Sequence, residues 1–135
     1  MNASADLPKL QTVRLGPQAA KAAGMSIAYR ETGDPALPGM LLMHGIGSNA
    51  SGYRNQLRDL ADRFHLVSWD APGYGGSGGF ADEHPSVKDY ADAAAGLLDA
   101  LGMARAHLIG SSLGALFAAK IAAACGVPFA MLPSS

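Results

Sequence analysis

Short apolar segments alternate with longer helical ones along this chain, and the alternation constrains the fold more than any other feature. Four segments have the length and content of buried strands, and the last three end in Gly, Asp or Ser: MSIAYRE (25–31), GMLLMHG (39–45), FHLVSWD (64–70) and AHLIGSS (106–112). Weaker alternation in QTVRLG (11–16) predicts an edge strand, and VPFAMLPSS (127–135) is consistent with a further one.

Three helices are predicted between these strands. Residues 86–102 repeat apolar side chains with the rhythm of one buried helix face, with Ser86 and Asp89 placed to cap the first turn and Gly102 to end the last. Residues 51–63 form a weaker pattern. Residues 113–126 are apolar on almost every face, which predicts a buried helix.

Strands and helices in this order predict an α/β fold with right-handed crossovers and a mostly parallel sheet flanked by helices. Ligands bind such sheets beyond the carboxyl ends of the strands. Three segments fall at that edge and are expected to be neighbours: His44–Gly47, Asp70–Gly78 and Gly110–Gly114.

Composition restricts the choice of partner and compartment. The 135 residues suit a single domain, with a core at 25–135 and an N-terminal edge segment at about 1–24. The net charge of -1 gives no reason to expect nucleic acid or a membrane surface as a binding partner. The lone Cys125 suits a reducing compartment, and no secretion signal or membrane-spanning run is evident. We therefore expect a cytoplasmic protein with a small-molecule substrate.

The segment GSSLG (110–114) fits the pattern G-x-S-x-G. A serine at the tip of a tight strand-to-helix turn needs small residues two positions before and after it, and Gly110 and Gly114 bracket Ser112 in this way. The turn also directs backbone N–H groups of the next helix towards a developing negative charge. Ser112 is thus a candidate nucleophile; the alternative is a glycine-rich helix start that serves only packing.

A second match, GGSGG (75–79), lacks a strand leading into it and an apolar helix after it. We expect Ser77 to be a loop serine. In LLMHGIGS (41–48), by contrast, a strand ends at His44-Gly45 and the chain turns. An N–H group from Ile46 or Gly47 could join that of Leu113 in a two-donor oxyanion hole, although such a turn alone is more typical of an ordinary strand end.

Taken together, HGIGS (44–48), SWDAPGYGGS (68–77) and GSSLG (110–114) resemble the N-terminal half of the α/β-hydrolase superfamily, in that family's order and spacing. The resemblance covers residues 25–124. It implies an α/β-hydrolase fold truncated after about the sixth strand, with no cofactor and no metal.

The resemblance also implies roles for individual residues. Ser112 corresponds to the nucleophile at the tip of the tight strand-to-helix turn, which is called the nucleophile elbow. The backbone N–H groups of Ile46 and Leu113 correspond to the oxyanion donors. His44, Gly45 and Gly47 correspond to supporting residues of the loop that carries the first oxyanion donor. Asp70, Gly73 and Gly75 correspond to the turn after the fourth strand, which supports the site. Trp69 and Tyr74 correspond to residues of the packing or the pocket wall.

The pattern departs from the family after the nucleophile, where an acid and then a histidine should follow. From Leu113 to Ser135 the sequence contains no Asp, Glu or His. His65 and His107 begin their strands, roughly 16 Å from the active edge at about 3.3 Å per residue. His84 lies in a loop and His44 has an expected structural role, so we expect a site that lacks its general base and acid. We also expect the last strand to leave a sheet edge open to self-association.

The leading hypothesis is a serine hydrolase, such as an esterase, that acts by acyl transfer on an ester, a lactone or a related carbonyl compound. One alternative is an inactive fragment or non-catalytic module that retains the hydrolase fold. Another is C–C bond hydrolysis or perhydrolysis on the same scaffold. Serine at position 112 argues against dehalogenases, in which aspartate is expected there.

Overall fold

The computed structural model describes residues 7–45, 48–111, 114, 119 and 129–132. These residues form one sheet of six strands: β1 (Gln11–Arg14), β2 (Ser26–Thr32), β3 (Gly39–Met43), β4 (His65–Trp69), β5 (His107–Ser111) and β6 (Phe129–Leu132). Each coincides with a segment for which the sequence predicts a strand, although β2 continues one residue beyond the predicted 25–31, to Thr32.

The strand order across the sheet is β1-β2-β4-β3-β5-β6. β4, β3, β5 and β6 run parallel, whereas β1 and β2 are antiparallel to each other and β2 is antiparallel to β4. The mostly parallel α/β sheet is therefore confirmed. Among the described residues β1 and β6 are the outermost strands, and self-association through such an edge stays a prediction.

Helix α1 (Arg54–Asp59) is shorter than the predicted helix over 51–63. The Asn49 side chain caps Ala50–Tyr53, which is a 3₁₀ turn rather than the first turn of an α-helix. At the other end, the N–H of Arg63 donates to the Leu60 carbonyl in a tight turn. The segment is therefore a 3₁₀ turn, a short helix and a second turn that leads into β4.

Helix α2 (Val87–Ala100) agrees with the prediction, including its capping box between Ser86 and Asp89. In the predicted helix at 113–126, Gly114 and Ala119 are helical and the other residues lie outside the described part. A 3₁₀ helix at Pro17–Ala22, which the sequence did not predict, packs on α2, where a methyl group added to Gly96 would lie 2.7 Å from Ala19 Cβ.

The core has two layers, one on each face of the sheet. Alternation along β3 directs Leu41 and Met43 towards α2 and Met40 and Leu42 towards α1. Burying a side chain of this size contributes about 1.5–3 kcal/mol to stability. Within the described ranges, no helix is long and apolar enough to cross a membrane.

Candidate active site

The parallel register brings the ends of three strands to one edge of the sheet. Met43, the last residue of β3, pairs with Gly110 of β5, and Leu42 pairs with Ser68 of β4. β3, β4 and β5 therefore end side by side at this edge, at Met43, Trp69 and Ser111. This edge holds the candidate site.

Gly114 lies very close to the backbone of the segment that follows β3. A methyl group added to it would lie 2.0 Å from the carbonyl oxygen of Met43 and 2.8 Å from that of His44. No side chain fits at such distances, so glycine is required at position 114. The segment after β5 is thereby seated against the start of the loop after β3.

The His44 ring is only 3% exposed, and both of its nitrogens have backbone partners. The Ala71 N–H donates to Nε2 over 3.0 Å, which leaves Nδ1 as the protonated nitrogen that donates to the Gly45 carbonyl over 2.9 Å. Burial lowers the pKa of His44, although the Gly45 contact and Asp70 act in the opposite direction. A neutral ring with both nitrogens engaged positions loops and is not free to act as a base.

Asp70 holds two loops with a single carboxylate that is almost fully buried. Oδ1 accepts the Ala50 N–H at 2.7 Å and Oδ2 accepts the Gly76 N–H at 2.9 Å. A methyl group on Gly75 would lie 2.2 Å from Oδ2, so the glycine-rich turn wraps closely around the carboxylate. The segment after β3 and the turn after β4 are thus bound to one acid.

Two further residues secure the segment after β3, and sequence reasoning gave neither of them a role in the site. The Ser68 hydroxyl donates to the Ala50 carbonyl at 2.8 Å, and the Tyr53 hydroxyl donates to the Met43 carbonyl at 2.8 Å. The available signal for Ser68 was a polar residue between Val67 and Trp69 in an apolar strand. For Tyr53 the sequence showed only a position on the apolar side of the helix predicted over 51–63.

The second G-x-S-x-G serine is structural. The Ser77 hydroxyl accepts the Ala28 N–H at 2.8 Å and donates to the Asp70 carbonyl. It thereby ties the glycine-rich turn to β2. This agrees with the expectation that Ser77 is a loop serine.

A model of the alpha/beta hydrolase family matches residues 40–134, which include all of these loops. The chain belongs to the alpha/beta hydrolase family. It is 34% identical over 104 residues to the 2-hydroxy-6-oxononadienedioate/2-hydroxy-6-oxononatrienedioate hydrolase 2 of Pseudomonas putida, a match covering 74% of this chain and 36% of the relative.

Solved structures of other hydrolases share the same fold. A bacterial membrane phospholipase A superposes with a TM-score of 0.84 at 28% identity, over 98% of this chain and 42% of that one. The haloalkane dehalogenase DbeA from Bradyrhizobium elkani superposes with a TM-score of 0.77 at 29% identity, over 91% of this chain and 40% of that one. The matches to curated relatives span only about a third of the relatives' length, 36% in the Pseudomonas case.

In this hydrolase-family chain, part of the predicted site can be placed and part cannot. His44, Gly45, Asp70, Gly110 and Gly114 come together at the carboxyl edge of the sheet. Four predicted residues lie outside the described residues, namely Ser112, Leu113, Ile46 and Gly47. The nucleophile and the oxyanion donors therefore stay predictions.

The other three histidines lie away from this edge or in an exposed loop. His65 and His107 are the first residues of β4 and β5, at the amino edge, where the His65 Nε2 contacts a Glu31 carboxylate oxygen. His84 is exposed, and its backbone N–H donates to Asp82. All four histidines of this family member are described, and none is placed as a free base beside the end of β5.

Proposed function

We propose that this chain carries the nucleophile half of a serine hydrolase that acts by acyl transfer on an ester, a lactone or a related carbonyl compound. In this proposal the Ser112 hydroxyl attacks the carbonyl carbon, and the N–H groups of Ile46 and Leu113 donate to the oxyanion. The observation that carries the proposal is the contact of Gly114 with the Met43 and His44 carbonyls. This contact supports a two-donor hole because the donors come from the two segments that it joins.

The general base and its acid partner come from outside this sequence. Residues 113–135 contain no Asp, Glu or His, and His44 already accepts the Ala71 N–H. A serine hydroxyl without a base is a weak nucleophile. The matches cover only about a third of each curated relative. The unmatched part of each relative is long enough to contain both a general base and its acid partner.

Hydrolysis of a carbon–carbon bond is the second candidate function. The Pseudomonas relative is named for a hydroxy-oxo dioate, which has no ester or amide bond to hydrolyse. The likeness to a haloalkane dehalogenase concerns the fold, since the elbow has serine where a dehalogenase is expected to carry aspartate. A small-molecule substrate and a cytoplasmic location complete the proposal, on the composition alone.

Labelling with a fluorophosphonate tests this proposal without a natural substrate. We expect slow modification of Ser112 that is at least about tenfold faster in the folded chain than in concentrated urea, since an oxyanion hole stabilises the transition state without a base. Ser112→Ala should abolish the label, whereas Ser111→Ala should keep it. Equal rates in folded and unfolded chain would instead support a non-catalytic module.

Turnover of an aryl ester and of a 2-hydroxy-6-oxo dienoate distinguishes the two candidates. The measurement uses this chain completed with an acid and a histidine, since a serine hydroxyl without a base is a weak nucleophile. Ester cleavage alone supports acyl transfer to water, and cleavage of the dienoate supports the second candidate.

A further inference from the structure

The carbonyl oxygen of Met43 is contacted by two elements at the end of β3. The Tyr53 hydroxyl donates to it at 2.8 Å, and the Gly114 backbone lies so close that an added methyl group would be 2.0 Å away. Met43 is fully buried and Tyr53 is 5% exposed. This oxygen therefore lies where the segment after β5 meets the segment after β3.

Tyr53 belongs to a turn that is fixed at both ends. Its first residue is Ala50, whose N–H donates to Asp70 and whose carbonyl accepts the Ser68 hydroxyl. Its last residue is Tyr53 itself, whose hydroxyl donates to the Met43 carbonyl. Burial raises the pKa of Tyr53 to about 12, so the hydroxyl keeps its proton and remains a donor at neutral pH. The turn thus presents a donor of fixed position to the end of β3.

We propose that Tyr53 is a positioning residue of the candidate site. Its hydroxyl holds the Met43–His44 peptide against Gly114 and so sets the gap between the elbow segment and the loop that begins at His44. The inference rests on the proposed function, because that gap determines whether two N–H donors reach one oxyanion. Donors must lie about 2.7–3.1 Å from that atom, so small displacements of the peptide reduce the rate.

A purely packing role for Tyr53 makes a different prediction. The ring lies in the apolar cluster with Met40, Leu42, Leu57 and Leu66, and phenylalanine would preserve every one of those contacts. Only the bond to the Met43 carbonyl would be lost. A tyrosine that matters solely for packing is therefore replaceable by phenylalanine without local effect.

The experiment compares Tyr53→Phe with a matched control, Tyr29→Phe, which removes a phenol hydroxyl from a buried tyrosine in the cluster on the opposite face. The first measurement is the carbon-13 shift of the Met43 carbonyl, with hydrogen exchange at the amides of Gly45 and Gly114. The second is the fluorophosphonate reaction at Ser112, resolved into its binding and bond-forming steps. The full 135-residue chain is used throughout.

For Tyr53→Phe we expect a changed Met43 carbonyl shift and exchange at least about tenfold faster at Gly45 and Gly114, with changes below about twofold in β1 and β2. The bond-forming rate should fall by about tenfold or more, with little change in the binding of the probe, because one oxyanion donor contributes about 10²–10³ in rate. Tyr29→Phe should leave all of these unchanged.

An unchanged carbonyl shift, or exchange that rises equally across the sheet, would overturn the positioning role. So would a labelling loss confined to probe binding. Absence of labelling in the parent chain would refute the proposed function instead, and the carbonyl shift and exchange would still decide whether Tyr53 holds the peptide.

Discussion

Two histidines are buried almost equally at opposite ends of the parallel strands, His44 at 3% and His65 at 4% exposure, and each has a carboxylate nearby. At the carboxyl end, His44 bonds only to the backbone, and Asp70 likewise accepts backbone N–H groups from two loops. At the amino end, His65 contacts the Glu31 carboxylate directly, in a diagonal pair across β2 and β4.

The difference shows how the same residue types serve different ends of one sheet. Backbone partners at the carboxyl end make His44 and Asp70 determinants of loop conformation around the candidate site. A side-chain partner at the amino end makes His65 a tie between strands. We therefore expect perturbations at the carboxyl end to alter the candidate site and those at the amino end to alter stability alone.

The largest expected effect comes from Gly114→Ala. Its methyl group would lie 2.0 Å from the Met43 oxygen and 2.6 Å from the Met43 carbonyl carbon, so the backbone must move. We expect a loss of about 3 kcal/mol in the free energy of unfolding, as for severe overpacking. Urea denaturation measures it, and Gly79→Ala, whose nearest contact is 3.7 Å, is the control. Equal effects of the two variants would contradict the close seating of Gly114.

Asp70→Asn tests the acid at the carboxyl end. An amide group in place of one carboxylate oxygen sets a donor against the N–H of Ala50 or Gly76, and the site is buried. We expect about 2 kcal/mol of destabilisation and faster amide exchange at both loops. Asp62→Asn, at an exposed position, should change stability by less than about 0.5 kcal/mol. Exchange confined to a single loop would show that Asp70 does not couple the two.

Glu31→Gln tests the acid at the amino end. Loss of the charge weakens the contact with His65, and we expect about 1.5 kcal/mol of destabilisation by thermal or urea unfolding. The labelling rate of Ser112 should stay that of the parent chain. Glu83→Gln, in an exposed loop, is the matched control. A slower label in Glu31→Gln would remove the distinction between the two ends of the sheet.

The smallest expected effect is a pH dependence from His44. Because burial lowers its pKa below the ordinary 6.5, the unfolded chain binds more protons than the folded one. This contribution to stability is complete above pH 6.5 and is lost as the pH falls through 6.5 towards the folded-state pKa. Titration of this one group changes the free energy of unfolding by at most about 0.7 kcal/mol between pH 7 and pH 6.

Unfolding curves of the parent chain and His44→Gln over this pH range isolate the effect, since glutamine offers an acceptor for the Ala71 N–H but does not titrate. We expect a smaller pH dependence in the variant. An identical dependence would show that the His44 ring takes up its proton equally in both states.

Local sequence was sufficient for most of the elements. Period-two and continuous apolar runs predicted each of the six strands in the described part of the chain, and the Ser86–Asp89 capping box predicted the start of α2. These signals act between residues close in the chain. The 51–63 segment was predicted as too long a helix, since helical periodicity does not distinguish a 3₁₀ turn from an α-helix. The 3₁₀ helix at Pro17–Ala22 had no periodic signal at all.

The sequence by itself determined the α/β class, the family and the candidate nucleophile, because strand ends, glycine spacing and motif order can be read along the chain. Only the tertiary structure decided the partners: His44 with Ala71, Asp70 with Ala50 and Gly76, Tyr53 with Met43, and His65 with Glu31. Hydrogen bonds are short and directional, so their partners depend on which distant backbone the strand order brings within about 3 Å.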